Sequence, residues 1–224
     1  MAVAYVGYIT GTDSAGSTTA AINLSAASVG DLAITTISRR DGTSDPTGVP
    51  SGWTLVTSLI VSTSRSWVYY KVLASGDLTT HTWTWAASQK TMSTCVRYNG
   101  THTTTPVEDY ATYTDSVGVT PHYYGSLTND QPMLVGIATT PYTLATSQTV
   151  GTGYTERLDT GSTTPDFWHE YADTNGTWGG GTSNVTVTPS RTTTALNFHL
   201  AIAPAAESSG VPRHSDYYHR RRSA

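Results

Sequence analysis

Five blocks of this chain recur in the same order roughly 100 residues later, and this repetition limits the available folds more than any other feature. The first half reads GDLAITTIS, PSGWTLVTS, SWVYYKVLA, HTWTWAASQ and KTMSTCVRYNG. The second reads DQPMLVGIATT, GTGYTERLD, DFWHEYADT, SNVTVTPSR and TTTALNFHLAIAP. Asp31 aligns with Asp130, Trp53 with Tyr154, Trp67 with Phe167 and Thr84 with Thr186. Each half offers an apolar strand, an aromatic at a Gly turn, an aromatic strand and a Thr-rich pair. Two separate immunoglobulin-sized domains or two halves of one sandwich would both produce such a pattern. The connection between Gly100 and Asp130 has no Pro- or Gly-rich linker and carries Tyr110, Tyr113 and Val119, which favours one intertwined sandwich. The expected organisation is a single domain over 1–204, with halves at about 18–100 and 118–204, and an extension over 205–224.

The segments themselves read as strands. No window of a dozen residues places apolar side chains at helical spacing, whereas short alternating runs bounded by Gly, Pro, Ser, Asn and Asp recur throughout. Ala2–Thr10, Asp31–Ser38, Ser66–Leu73, Met133–Thr139 and Ala195–Ala203 are among them. Charged residues make up only 12% of the chain, and Thr, whose branched side chain suits a pleated surface, fills much of the gap. Six Trp and fourteen Tyr against two Phe supply large rings with one polar atom each. The fold expected is all-β, a jelly-roll-like (concanavalin-like) two-sheet sandwich.

Charge is unevenly placed. Arg213–Ala224 holds four Arg and one Asp, a net of +3, which leaves 8 basic and 15 acidic residues, a net of −7, in the remainder of a chain of total −4. No global field favours nucleic acid or an acidic membrane surface. The extension therefore reads as a docking peg with Tyr217, Tyr218, Arg220, Arg221 and Arg222 as anchors, since Tyr and Arg concentrate binding energy at interfaces. The single Cys95 lies in a predicted strand and reads as a small buried hydrophobe, with no disulfide and no cysteine zinc site. No apolar run reaches membrane-spanning length, and the start shows no basic, apolar leader.

Catalytic signatures are weak. Gly11-Thr-Asp-Ser14-Ala-Gly16 lacks the glycine two residues before the serine and reads as a turn. Gly179–Gly181 lacks the lysine of a phosphate loop and reads as a hairpin tip. The seven histidines show no metal-ligand spacing. His169 and Glu170 fall on opposite faces of a strand, which argues against their acting together. Glu108, Asp109, Glu156, Asp166 and Glu170 are the carboxylates a glycosidase would need, but the sequence brings no two together. The Asp41–Asp45 loop could offer oxygens to Ca²⁺, although a turn is the simpler reading. No cofactor is expected. Trp83 and Trp85, two apart on one strand, read as core; Tyr123, Tyr124 and Trp178, next to glycines, are the surface candidates for stacking on a sugar.

The blocks GDLAITTIS, PSGWTLV, WVYYKV with SGDLTTHTWTW, CVRYNG and then PMLVGIATT, GYTERLD and ALNFHLAIAP resemble a recurrent phage and bacterial β-sandwich module over about residues 18–204. That resemblance implies a sandwich found in phage minor tail and other virion structural proteins, and no catalytic residue comes with it. The expected role is a non-enzymatic structural protein of the virion surface, in the tail, tail tip or as a head decoration. It would be made in the host cytoplasm, released by lysis, partnered by other virion proteins and by copies of itself, with no nucleic acid and no membrane insertion. A carbohydrate-binding adhesion module for a host surface glycan is the alternative, and a jelly-roll glycanase a third.

Overall fold

The computed structural model describes residues 2–119, 122–128, 133–141, 147–164, 166–178, 182–183, 186–189 and 193–206. Among these residues fifteen strands run in order: β1 Ala4–Asn23, β2 Leu32–Arg40, β3 Thr54–Val61, β4 Ser64–Val72, β5 Thr80–Asn99, β6 Val107–Val119, β7 His122–Tyr123 and β8 Leu127–Thr128. Then come β9 Met133–Pro141, β10 Gln148–Val150, β11 Thr155–Ser162, β12 Phe167–Asp173, β13 Thr182–Ser183, β14 Thr186–Pro189 and β15 Thr193–Ile202. One 3₁₀ turn, Ser75–Asp77, is the only helical element among the described residues. Two five-stranded antiparallel sheets dominate, ordered β1-β5-β2-β4-β3 and β6-β15-β9-β12-β11. The protein is an all-β sandwich.

The two orders are one order repeated, and the irregularities repeat with it. Val56 is squeezed out of register where β3 meets β4, and Arg157 is squeezed out in the same way where β11 meets β12. Val6 in β1 and Glu108 in β6 occupy a second matching pair of bulges against β5 and β15. Register taken from these bulges sets Ser38 on Thr139, Ser66 on His169, Trp67 on Glu170, Ser93 on Asn197 and Cys95 on His199. The alignment of Trp67 with Phe167 is therefore corrected by three positions. Trp67 points away from the opposite sheet, while Phe167 shares the parity of His169 and Tyr171, which point toward it. A strand's side chains alternate, so an odd slip exchanges faces. Trp53 and Tyr154 do correspond: each amide closes a turn, onto the carbonyls of Pro50 and Gly151, at 3.4 Å.

The sheets stack with β1 against β11 and β3 against β6, so a local two-fold axis passes between the central strands β2 and β9. Nearly all of β2 and all of β9 is buried, as continuous apolar and Thr-rich strands covered on both faces must be. Leu32, Ile34, Val68, Val96 and Tyr98 of one sheet meet Val135, Ile137, Tyr171, Phe198 and Leu200 of the other in a single shared core. Each such side chain contributes roughly 1.5–3 kcal/mol of burial. Near the axis the core turns polar. Ser66 Oγ meets Thr139 Oγ1 at 2.8 Å, and the related pair, His169 Nε2 and Ser38 Oγ, meets at 2.8 Å as well. The contact is thus reciprocal, as in a symmetric dimer joined into one chain.

Each half supplies its own sheet, so the exchange of strands between sheets that defines an intertwined jelly roll does not occur among the described strands. The reason is local pairing: β2 finds β4 and β5 within its own half, and β9 finds β12 and β15. Gly11–Gly16, expected as a turn, is part of β1, which takes up the irregular residues as successive bulges against β5. Beyond those bulges the ribbon folds back, so that Ala21 N–H donates to Thr12 Oγ1 and Trp83 and Trp85 lie over Trp67 and Tyr69. This is a cover over the outer face of the first sheet. The small sheet β10-β14-β7 is its counterpart over the second. Gly48 bridges Thr84 in the first cover as Thr149 bridges Thr188 in the second, so the alignment of Thr84 with Thr186 is corrected by two positions.

Candidate functional site: the covered face of the second sheet

The outer face of the second sheet gathers Glu170, Asp159, Glu156 and His199 under its cover. Directly paired positions form a row, Asn197, Ala138, Glu170 and Asp159, on β15, β9, β12 and β11. The adjacent row is His199, Gly136, Ala172 and Glu156. The bulge at Arg157 brings Glu156 and Asp159 onto the same face, which simple alternation would have kept apart. Gly136 is required here, because a Cβ would enter the ring of Tyr124, which lies across it.

Glu170 is wholly buried, and the Tyr124 hydroxyl donates to its carboxyl at 2.7 and 2.6 Å. Burial pushes its pKa well above the usual carboxylate range; the Tyr124 bond opposes this, and Asp159 and Glu156 add to it. Asp159 is raised by burial although the Trp168 indole N–H and the Gln148 backbone N–H (3.0 Å) donate to it. Glu156 is raised by burial and by Asp159. His199 donates from Nδ1 to the Gly125 carbonyl at 2.8 Å and takes the Tyr154 hydroxyl at Nε2. Burial lowers it to about 4, so it is neutral. Gln148 and Asn197 are 2% and 0% exposed, and all four of their amide atoms, with Thr140 Oγ1, find no partner among the described residues. Those amides are a cost of roughly 1–3 kcal/mol per unsatisfied group.

The second polar cluster lies between the sheets. His169 joins Thr94 Oγ1 at Nδ1 and Ser38 Oγ at Nε2, each at 2.8 Å, and burial lowers it to about 3. Asp173, fully buried, takes a two-pronged bond from Arg157 at 2.8 and 2.9 Å and the Tyr98 hydroxyl at 3.1 Å. With both ring nitrogens of each histidine occupied and Glu170 and Asp173 buried, these groups brace strands, while Glu156 lies exposed at the margin of the first cluster.

Several sequence expectations change place. Tyr124 is not a surface ring for a sugar: it is 0% exposed, because Gly136 opens a slot that the ring fills and Glu170 takes its hydroxyl. Trp178 is half-buried and packs against the same cluster. The Tyr123 side chain and Tyr217, Tyr218, Arg220, Arg221 and Arg222 lie outside the described residues. Trp83, Trp85 and Cys95 are core, as expected. His169 and Glu170 do face opposite ways, one into the sandwich and one under the cover. Of the glycosidase carboxylates, Glu156 and Glu170 share a face; Asp166 is bound to Arg40 and Lys90, and Glu108 and Asp109 lie on the far edge strand β6. Asp45 pairs with Arg65 at 2.8 Å and accepts from the Trp67 indole, so a cation partner already occupies the proposed Ca²⁺ loop. Among the described residues no three His, Cys, Asp or Glu side chains are grouped to hold a metal, and no helix could cross a membrane. No family model matches the chain, and no curated protein or solved structure matches it either.

Proposed function

We propose that this chain is a non-enzymatic structural protein of a bacteriophage virion surface, a minor tail, tail-tip or head decoration component. The sandwich is the rigid displayed unit and the basic extension ties it to the particle. The observation that carries the reading is the use to which the ionisable side chains of the sheets are put: His169, His199, Glu170 and Asp173 are all bonded inside, where they brace the two halves against each other and under their covers. The resemblance of the repeated blocks and the charge-poor, Thr-rich composition supply the virion setting.

Antibody-labelled electron microscopy of particles tests this reading. Label at regular positions on the particle surface is expected; particles without label overturn it. A form lacking residues 207–224 should fold and fail to enter particles, and normal incorporation would remove the extension from the account. The adhesion reading keeps one support, now moved from Tyr124 to Tyr8 and Tyr110. These rings are 53% and 47% exposed, at equivalent positions of β1 and β6. Binding of a host cell-wall glycan array, lost in Tyr8→Ala and Tyr110→Ala, is the result that would favour it.

A further inference from the structure

The two end strands β1 and β6 occupy equivalent edges, and among the described residues neither has a hydrogen-bonded strand on its outer side. They differ in charge. The positions of Val6 and Gly7 in β1 are taken in β6 by Glu108 and Asp109, both exposed and, among the described residues, without an ion-pair partner, with Asp109 Oδ1 accepting the N–H of exposed Tyr110 at 2.8 Å. An uncapped edge is a template for another strand, and side chains along it select which one. The chain itself carries a complementary segment, Arg213–Arg222, with four Arg and the pair Tyr217 and Tyr218.

Where the described chain ends decides which copy supplies that segment. Ala203 donates to Pro106, but Ala205 donates to Gly100, which closes tightly on Ala2. The last described residues, 203–206, therefore run toward the β1–β5 side of the sandwich, at the opposite edge from β6. A neighbour stacked beside that side would present its own β6 to the departing chain.

We propose that the basic segment of one copy adds along the acidic edge of β6 in the next. Its arginines would lie against Glu108 and Asp109, and its tyrosines against Tyr110. The contact is head-to-tail, so it closes into a ring or extends according to the rotation between copies. This rests on the assembly reading above and names its contact.

The full-length protein in sedimentation velocity over a concentration series, at low and at half-molar NaCl, tests it, with circular dichroism to verify the fold of each variant. Wild type should associate as concentration rises, with affinity at least about tenfold weaker at high salt. Glu108→Lys with Asp109→Lys, and separately Arg220→Glu with Arg221→Glu and Arg222→Glu, should each sediment as monomers. Mixing the two variants should restore association, because each then meets its opposite charge. Undiminished association of either variant, a wild type that stays monomeric at every concentration, or a mixture that stays monomeric overturns the proposal. On labelled particles the two readings separate. Normal incorporation of Glu108→Lys with Asp109→Lys sinks the edge contact and leaves the virion role standing, whereas absence of the wild-type label sinks the virion role.

Discussion

Trp67 and Glu170 sit at the same point of two sheets built to the same plan, each under a cover supplied by its own half of the chain. Around Trp67 the space is filled by rings: Trp53 lies against Trp83, Trp83 against Tyr69, and Trp67 against Trp85. Around Glu170 it is filled by Tyr124, Tyr154, His199, Asn197 and Gln148, which bring hydroxyls, a ring nitrogen and amides. Ser93 under the first cover gives a bond to Ala21 and takes one from Thr12; the side-chain amide of its equivalent Asn197 has no partner among the described residues. The covers differ in kind too. The first is a continuation of the long β1 and β5 strands, and the second is assembled from strands of two to four residues. One architecture therefore tolerates an apolar lining and a polar one, because strand order and bulges are set by the backbone ladder and the shared core. The chemistry under each cover is free to vary.

The comparison breaks most readily at its two central residues. Trp67→Ala should lower stability by about 3–5 kcal/mol, the range for emptying a buried aromatic site. Glu170→Gln, which keeps shape and hydrogen bonding, should change it by less than about 1 kcal/mol near pH 5. Urea denaturation of both variants measures the contrast. Equal losses would mean that the two covers carry equal weight.

Acid comes next. His169 is lowered to about 3 and His199 to about 4, from an ordinary 6.5. A histidine held neutral stabilises fully above its unfolded pKa, and that contribution is lost as pH falls from there toward the folded value. Stability should drop below pH 6.5 by up to about 1.4 kcal/mol per pH unit for each histidine. His169→Gln should remove one histidine's share of the slope; an unchanged slope would show that the ring is already protonated inside. Glu170 runs the other way. Its folded pKa is raised, so its contribution is complete below the unfolded carboxylate range and is lost as pH rises. The advantage of Glu170→Gln over wild type should accordingly grow between pH 5 and pH 8.

Gly136 sharpens the comparison further. Its equivalent in the first sheet is Thr35, and the loss of a side chain is what lets Tyr124 lie flat under the second cover. Gly136→Ala should cost about 1–3 kcal/mol, as overpacking does, and should speed hydrogen exchange in β10 and β14 more than in β5. A neutral outcome would show that the ring has room to move.

Much of this plan is legible in the chain. Alternation and Thr content give the strands, and five ordered blocks give the repeat; Trp83, Trp85 and Cys95 are identifiable as core. The register is less so, since bulges at Val56, Arg157, Val6 and Glu108 leave no mark in composition, and one slipped residue exchanges faces. That slip is why Trp67 aligns with Phe167 by sequence and with Glu170 in space. The buried lining was hidden for a related reason. A tyrosine beside a glycine reads as exposed until Gly136, on another strand, is known to lie beneath it. Glu156 and Asp159, three apart in a strand, read as facing opposite ways until the bulge between them is known.

The smallest expected effect bears on why the second lining is polar at all. Asn197 keeps both amide atoms unpaired among the described residues at complete burial, on the row that runs through Glu170 to Asp159. Were the amide there only for shape, Asn197→Leu, of similar size, would remove the desolvation cost and keep the packing, for a gain of up to about 1 kcal/mol. The same change in a lining that depends on the amide, during folding or when the cover lifts, would instead lower stability. Thermal denaturation of Asn197→Leu beside Ser93→Ala distinguishes these. Ser93 is bonded on both sides, so its loss should cost about 1 kcal/mol while Asn197→Leu gains. If both lose, the polar row under the second cover is as structural as the bonded serine it replaces, and the contrast between the two faces reduces to one of composition.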